Sequence, residues 1–134
     1  MANVMTIEGI GEVLAGKLKS IGISSTRQLL KACGDRGGRE KVAESAGIDY
    51  PRLLRFVNHA DLMRIRGVGG QFAEALEAAG VDSVPELARR NAENLARAIR
   101  AMNTERRLVR RVPSSREIER WIEQAKGLKR VVTH

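Results

Sequence analysis

Three groups of residues in this chain have the types and spacing to do chemistry, and all three suit an anion. Arg64 and Arg66 lead into Gly67-Val68-Gly69-Gly70-Gln71. Two glycines around one apolar residue allow a tight turn with positive φ and close backbone approach. A helix starting there would present unpaired N–H donors and the positive end of its dipole. The second group is Arg106-Arg107-Leu108-Val109-Arg110-Arg111. On a helix the pairs 106/110 and 107/111 are i,i+4 neighbours, so four guanidinium groups would share one face while Leu108 and Val112 turn inward. Like charges that close repel, and a polyanion would relieve them. The third group is Gly9-Ile10-Gly11, followed by Lys17 and Lys19.

Nothing comparable points to catalysis. Cys33 is the single cysteine and there are two histidines, so no Cys/His cluster has zinc spacing and an intramolecular disulfide is impossible. His59, read near a helix start, has no accompanying Asp/Cys/Glu constellation and is expected to be an ordinary capping or partly buried residue. Cys33, at a helix end, reads as a small apolar side chain. No paired carboxylates with supporting context, Walker motif or nucleophile triad appears. The expectation is a protein that is no enzyme, binds no metal through side chains and takes no small-molecule substrate.

The glycine pair organises the chain because it occurs twice. Ile7-Glu8-Gly9-Ile10-Gly11 and Ile65-Arg66-Gly67-Val68-Gly69 match without a gap 58 positions apart, and the register continues through Gly22/Gly80, Ile23/Val81, Ser25/Ser83 and Leu29/Leu87. Between these points apolar residues recur at helical spacing, punctuated by Gly, Pro, Ser and Asn, with little alternation. The pattern predicts an all-α protein of many short helices. Val13, Leu14, Leu18 and Ile21 form one apolar face ended by Gly22. Ser24 or Ser25 opens a helix ended by Cys33-Gly34, and Gly37-Gly38 breaks the chain again. Val42, Ala43 and Ala46 lie in a helix closed by Gly47. Asp49 and Pro51 start another through Val57, and Asn58 caps a separate helix Ala60–Ile65.

In the second copy Phe72, Ala75, Leu76 and Ala79 line a helix stopped by Gly80, and Ser83 with Glu86 reads as a capping box. Asn91 starts a helix through Met102, and Thr104 starts one through Val112, halted by Pro113. Ser114 with Glu117 opens a last helix whose Ile118, Trp121, Ile122 and Ala125 share a face, which makes Trp121 core or a docking face rather than a base-stacking residue. Val131-Val132 in the tail can dock as an extended segment. The chain is thus read as two repeats, 1–58 and 59–134, packed into one compact pseudo-symmetric domain.

These glycine segments, each with Ala15 or Ala73 four residues after the second glycine, resemble the helix-hairpin-helix motif. The resemblance implies sequence-independent binding of duplex DNA phosphates by hairpin backbone N–H groups, with paired hairpins on the two strands across a minor groove. It also implies one candidate cofactor, a monovalent cation held by hairpin carbonyls. The whole chain further resembles a bacterial family catalogued as a domain of unknown function and built from paired motifs of this kind.

The two copies differ electrostatically. Glu8 and Glu12 flank the first, and a carboxylate within several ångströms of a phosphate costs roughly one to a few kcal/mol. Arg64 and Arg66 flank the second, with Gly70-Gln71 in place of the acid. Copy two is therefore the expected phosphate site, and copy one, with Gly9, Gly11, Lys17 and Lys19, is the weaker candidate, a packing turn. The Arg106–Arg111 run remains open to three readings: a polyanion contact, a solvated face partly neutralised by Glu105, or a partner for the acidic first repeat.

The totals agree. The 134 residues carry a net charge of +8, and residues 100–134 hold ten Arg or Lys against four Glu, a balance that suits nucleic acid or another polyanion as partner and, on composition alone, equally a soluble surface that is simply basic. Tyr50, Phe56, Phe72 and Trp121 are the only aromatics, too few for a stacking platform, so the backbone is the expected target. No apolar run spans a bilayer and no signal segment is recognisable, so no membrane contact and a cytoplasmic setting are expected. The alternative function is a protein-interaction or scaffold module with architectural hairpins.

Overall fold

The structure is a computed structural model and describes residues 2–134. Among them are eight α-helices and a short 3₁₀ turn, Val4–Thr6, with no strand beyond an isolated Asn3–Ser25 bridge. The helices are α1 (Glu12–Lys19), α2 (Thr26–Cys33), α3 (Arg36–Ala46), α4 (Tyr50–Leu62), α5 (Gly70–Ala78), α6 (Val84–Ala88), α7 (Ala92–Arg106) and α8 (Ser115–Gly127). No helix among the described residues is long and apolar enough to cross a membrane. Contacts divide the chain into two compact units, Met1–Asp61 with Arg130–His134, and Leu62–Lys129.

The repeat seen in the sequence is a repeat in backbone geometry. Gly9 and Gly67 have φ of +98° and +97°, and Gly22 and Gly80 +86° and +95°. Gly11 and Gly69, the N-caps of α1 and α5, are both extended, with φ, ψ of −98°, −167° and −94°, −170°. The hydrogen bonds repeat as well. Ile10 N–H donates to Ile7 C=O as Val68 does to Ile65, and Ile23 to Leu18 as Val81 to Leu76. Ile7, Ile10, Leu18, Ile23 and Leu29 are buried, as are Ile65, Val68, Leu76, Val81 and Leu87.

A second register, 65 residues apart, relates the helix that ends each half. Leu53, Phe56, Val57 and Ala60 of α4 correspond to Ile118, Trp121, Ile122 and Ala125 of α8, and all eight are buried. Each helix seats an aromatic ring under the first glycine of its own hairpin. A Cβ at Gly9 would lie 3.1 Å from Phe56 Cε1, and one at Gly67 2.9 Å from Trp121 Nε1. Positive φ favours glycine at both positions, and at Gly67 the Trp121 ring leaves no room for a Cβ unless it shifts.

In the first unit Ser25 forms a capping box with Gln28 at α2, Asp35 caps α3, and left-handed Gly47 closes α3. Gly37-Gly38 do not interrupt the chain; they lie in the first turn of α3, where Asp35 Oδ1 accepts the Gly38 N–H at 2.7 Å. Arg39 is fully buried with every nitrogen bonded: Nε to Tyr50 Oη, Nη1 to the carbonyls of Cys33 and Gly34, and Nη2 to the Thr133 carbonyl at 2.6 Å. The tail docks here as an extended segment, Thr133 N–H donating to Gly34 C=O while Val132 is buried. The apolar face expected of α1 is only half right: Leu18 is buried, but Val13 is 74% exposed and Ile21 lies on the surface.

Two helix boundaries also differ from expectation. Asn58 caps nothing; α4 runs unbroken through it to Leu62, and His59 is a fully buried residue late in that helix. Local propensity suggested a start at Asn58, but burial on consecutive turns carries the helix through. Similarly, no helix starts at Thr104, because α7 already contains it and ends at Arg106.

The second unit has a continuous core of Leu62, Ile65, Val68, Leu76, Val81, Leu87, Leu95 and Ile99 with Ile118, Trp121 and Ile122. Ser83, Asn91 and Ser114 cap α6, α7 and α8, and Ser114 with Glu117 completes a capping box. At α6 the Ser83 half of the expected box is present, accepting the Glu86 N–H.

Candidate anion-binding site of the second hairpin

Helix N-termini leave orphan N–H donors that side chains usually satisfy. Here α2, α3, α6, α7 and α8 each receive a Ser, Asp or Asn cap, whereas α1 and α5 have glycine N-caps and no side-chain cap. At α5 the N–H groups of Gly69, Gly70, Gln71 and Phe72 donate no hydrogen bond among the described residues, and no acid stands in the first turn. At α1 the corresponding turn carries Glu12. The uncapped donors of α5 thus form a positive helix end with no acid in its first turn.

The second hairpin is held rigidly. Gln124 of α8 straddles Arg66, its Oε1 accepting the Arg66 N–H at 2.8 Å and its Nε2 donating to the Arg66 carbonyl at 3.2 Å. Trp121 lies beneath Gly67, and the Phe72 ring meets Trp121 at 5.3 Å between centroids, tilted by 51°. With its backbone pinned, Arg66 holds an exposed side chain that makes no ion pair among the described residues. Arg64 is half-buried and lines with Arg66 an open groove of about 810 Å³, shared with Glu119, Arg120 and Glu123. Its charges are mixed, so the groove itself is not anion-selective.

The arginine run is not a helical face. Arg106 ends α7, and Arg107 adopts a left-handed conformation, φ +49°, the only non-glycine among the described residues to do so. The chain then runs irregularly to Ser114, with Val109 rather than Leu108 buried. Asn103 pins the loop by accepting the Val109 N–H and donating to its carbonyl, both at 3.0 Å. The i,i+4 patch of four guanidinium groups expected on a helix does not form, because Pro113 and the Asn103 side chain favour an irregular connection over further turns.

The four arginines therefore separate. Arg111 turns onto Phe72, its Cζ 5.5 Å from the ring centroid, and pairs bidentately with Glu117 at 2.6 and 2.9 Å. That pairing holds the Glu117 carboxyl below the usual carboxylate range. Arg106 stays exposed at the helix end. Arg107 and Arg110 together line a cavity of about 650 Å³ with Gln71, Asn103 and Thr104, and neither makes an ion pair among the described residues. Through Gln71 the cavity adjoins the first turn of α5. Gln71, in the first turn of α5 that follows Gly67, Val68, Gly69 and Gly70, thus meets Arg107 and Arg110 at one hollow, and Arg111 is committed elsewhere.

The weaker candidates belong to the first unit. Gly9 and Gly11 form the first hairpin in their own unit, and Lys17 and Lys19 lie exposed in the last turn of α1, away from its uncapped end. Burial pushes the Cys33 thiol up to about 11, consistent with an inert apolar role. No group of three metal-ligating side chains exists among the described residues. For a hairpin-bound monovalent cation, the Gly67 and Val68 carbonyl oxygens accept no hydrogen bond among the described residues, so hard oxygen ligands are present.

Gln124, Asn103 and the Arg111–Glu117 pair had no local signal in the sequence, since each acts on a residue outside its own helical turn or across a loop. Comparisons with curated proteins and with solved structures gave no match. Residues 8–128 match the family described as domain of unknown function DUF4332, and the chain belongs to that family.

Proposed function

We propose that this protein is a non-catalytic, cytoplasmic DNA-binding module of helix-hairpin-helix type, gripping duplex phosphates without regard to sequence. The observation that carries the reading is the row of unpaired N–H groups at Gly69–Phe72, behind a glycine turn and beside Arg66, Arg107 and Arg110. A helix N-terminus so placed binds an oxyanion through its donors and dipole, and the flanking guanidinium groups add counterion release. The first hairpin, with Glu8 and Glu12 and the same turn geometry, serves the fold of its half. Fluorescence anisotropy with a labelled random duplex tests the reading. Salt-sensitive binding is expected, and no binding at low salt would overturn it.

One observation favours a second reading, a protein-interaction module: Val13, Met5 and Ile21 are exposed apolar residues of the first unit, where the hairpin is acidic. Light scattering and a nuclease-treated pull-down separate the two readings. A strict monomer with salt-sensitive duplex binding counts against the second.

A further inference from the structure

The hollow lined by Gln71, Asn103, Thr104, Arg107 and Arg110 carries a charge that contact with singly charged phosphodiesters does not exhaust. It is an open surface hollow of about 650 Å³, and Gln71, Thr104, Arg107 and Arg110 in its lining are all exposed, so a ligand can reach both guanidinium groups directly. Its charge is one-sided: among the described residues, Arg107 and Arg110 are the only titratable side chains in the lining. The groove beside Arg64 and Arg66, by contrast, contains Glu119 and Glu123.

Its polar groups are already organised. Asn103 spends its amide on both backbone groups of Val109, and Thr104 donates to the Arg100 carbonyl at 3.0 Å, so both support the wall. Arg107 and Arg110 remain uncommitted, with Gln71 opposite on α5. We propose that this cavity binds a phosphomonoester, a terminal phosphate that carries about −1.5 to −2 charge near neutral pH against the single charge of a phosphodiester. Two guanidinium groups match a dianion in charge, and their planar forks match its oxygens bidentately. Such a phosphate can come from the end of a nucleic-acid strand or from a free nucleotide.

The proposal goes beyond backbone binding; because Arg107 and Arg110 serve both readings, it is tested by the preference for a terminal phosphate rather than by duplex affinity itself. The first measurement compares duplexes with 5′-phosphate and 5′-hydroxyl ends by anisotropy. The phosphorylated duplex is expected to bind about tenfold tighter near neutral pH. The difference should disappear below the second phosphate ionisation, near pH ~6. It should also be lost in a double variant, Arg107→Gly with Arg110→Gln, whose glycine keeps the left-handed backbone while removing the guanidinium.

The second measurement is NMR titration with adenosine monophosphate and with inorganic phosphate, following the amides of Gln71, Arg107 and Arg110. Shifts at these amides, with competition against the phosphorylated duplex, identify a free nucleotide as the source. End preference without nucleotide competition identifies strand ends, and either result supports the pocket. Equal affinity for the two duplexes together with unmoved amides overturns it, even where salt-sensitive duplex binding persists. Shifts without any duplex binding would instead uphold the pocket and remove the preceding reading.

Discussion

Gln124 closes on the backbone of Arg66 with both ends of its amide, at 2.8 Å to the N–H and 3.2 Å to the carbonyl. The clamp ties α8 to the second hairpin at the residue just before its first glycine. Gln124→Ala removes both bonds. Because Arg66 is exposed, water takes over part of the loss, and a destabilisation of about 1 kcal/mol is expected. Amide hydrogen exchange at Arg66 and Gly67 should accelerate more than at the α7 core. An unchanged exchange pattern would show that the hairpin is held by Trp121 packing alone.

The two glycines of this hairpin should respond very unequally to alanine. Gly67 has φ +97° and the Trp121 indole 2.9 Å from where a Cβ would stand, whereas Gly69 is extended with nothing within 4 Å. Gly67→Ala should cost ~2 kcal/mol or more through strain and collision, and Gly69→Ala under about 1 kcal/mol as a poorer N-cap. Chemical denaturation measures both. If the proposed function holds, Gly69→Ala also weakens duplex binding in a folded protein, because the methyl group stands where a phosphate must approach.

Much of this was legible beforehand, and the boundary has a physical basis. The glycine turns, Ser25, Ser83, Asn91 and Ser114 as caps, and the α8 face are set by residues within four positions of one another, and they appear in the structure as the sequence implies. The arginine run was misread because helical periodicity does not register a cap at Arg107 that depends on Asn103 reaching Val109. Arg39 was invisible for a similar reason. It lies four residues after its N-cap, Asp35, as Leu95 lies four after Asn91, yet its partners include Thr133 at the far end of the chain.

That buried arginine makes the last residues structural. Deleting 130–134 strips the Thr133 carbonyl from Arg39 Nη2 and uncovers the site where Val132 packs. A buried charged donor left unsatisfied costs about 1–3 kcal/mol or more. In an Arg39→Met background the same deletion should cost clearly less, since an apolar side chain of similar length has no donor to orphan. Equal costs in the two backgrounds, measured by urea denaturation, would show that the tail acts through Val132 alone.

The Arg111–Glu117 pair carries a pH signature. The bidentate bond and the Ser114 N–H both favour the ionised carboxylate, so the folded-state value of Glu117 lies below its unfolded value of about 4.3. The resulting stability is fully present above the unfolded value and is lost as pH falls through the folded one. Glu117→Gln should therefore flatten the acid limb of a stability–pH profile below pH ~4.5. It should also cost about 1 kcal/mol near neutral pH, through weakening of the pair and capping box. A parallel acid limb in wild type and variant would place the sensitivity in other carboxylates.

The division of the arginine run separates the proposed interface from a uniform basic face. With Arg66, Arg107 and Arg110 uncommitted and Arg111 held by Glu117 and Phe72, about three phosphates would be neutralised. The logarithm of duplex affinity should then fall against the logarithm of salt with a slope near −3. Arg66→Gln, Arg107→Gly and Arg110→Gln should each weaken binding and reduce the slope by about one. Arg111→Gln should leave the slope almost unchanged while lowering stability, because its charge is already paired. A slope that drops equally for Arg110→Gln and Arg111→Gln would mean that the ion pair opens on binding and that all of the run meets the duplex.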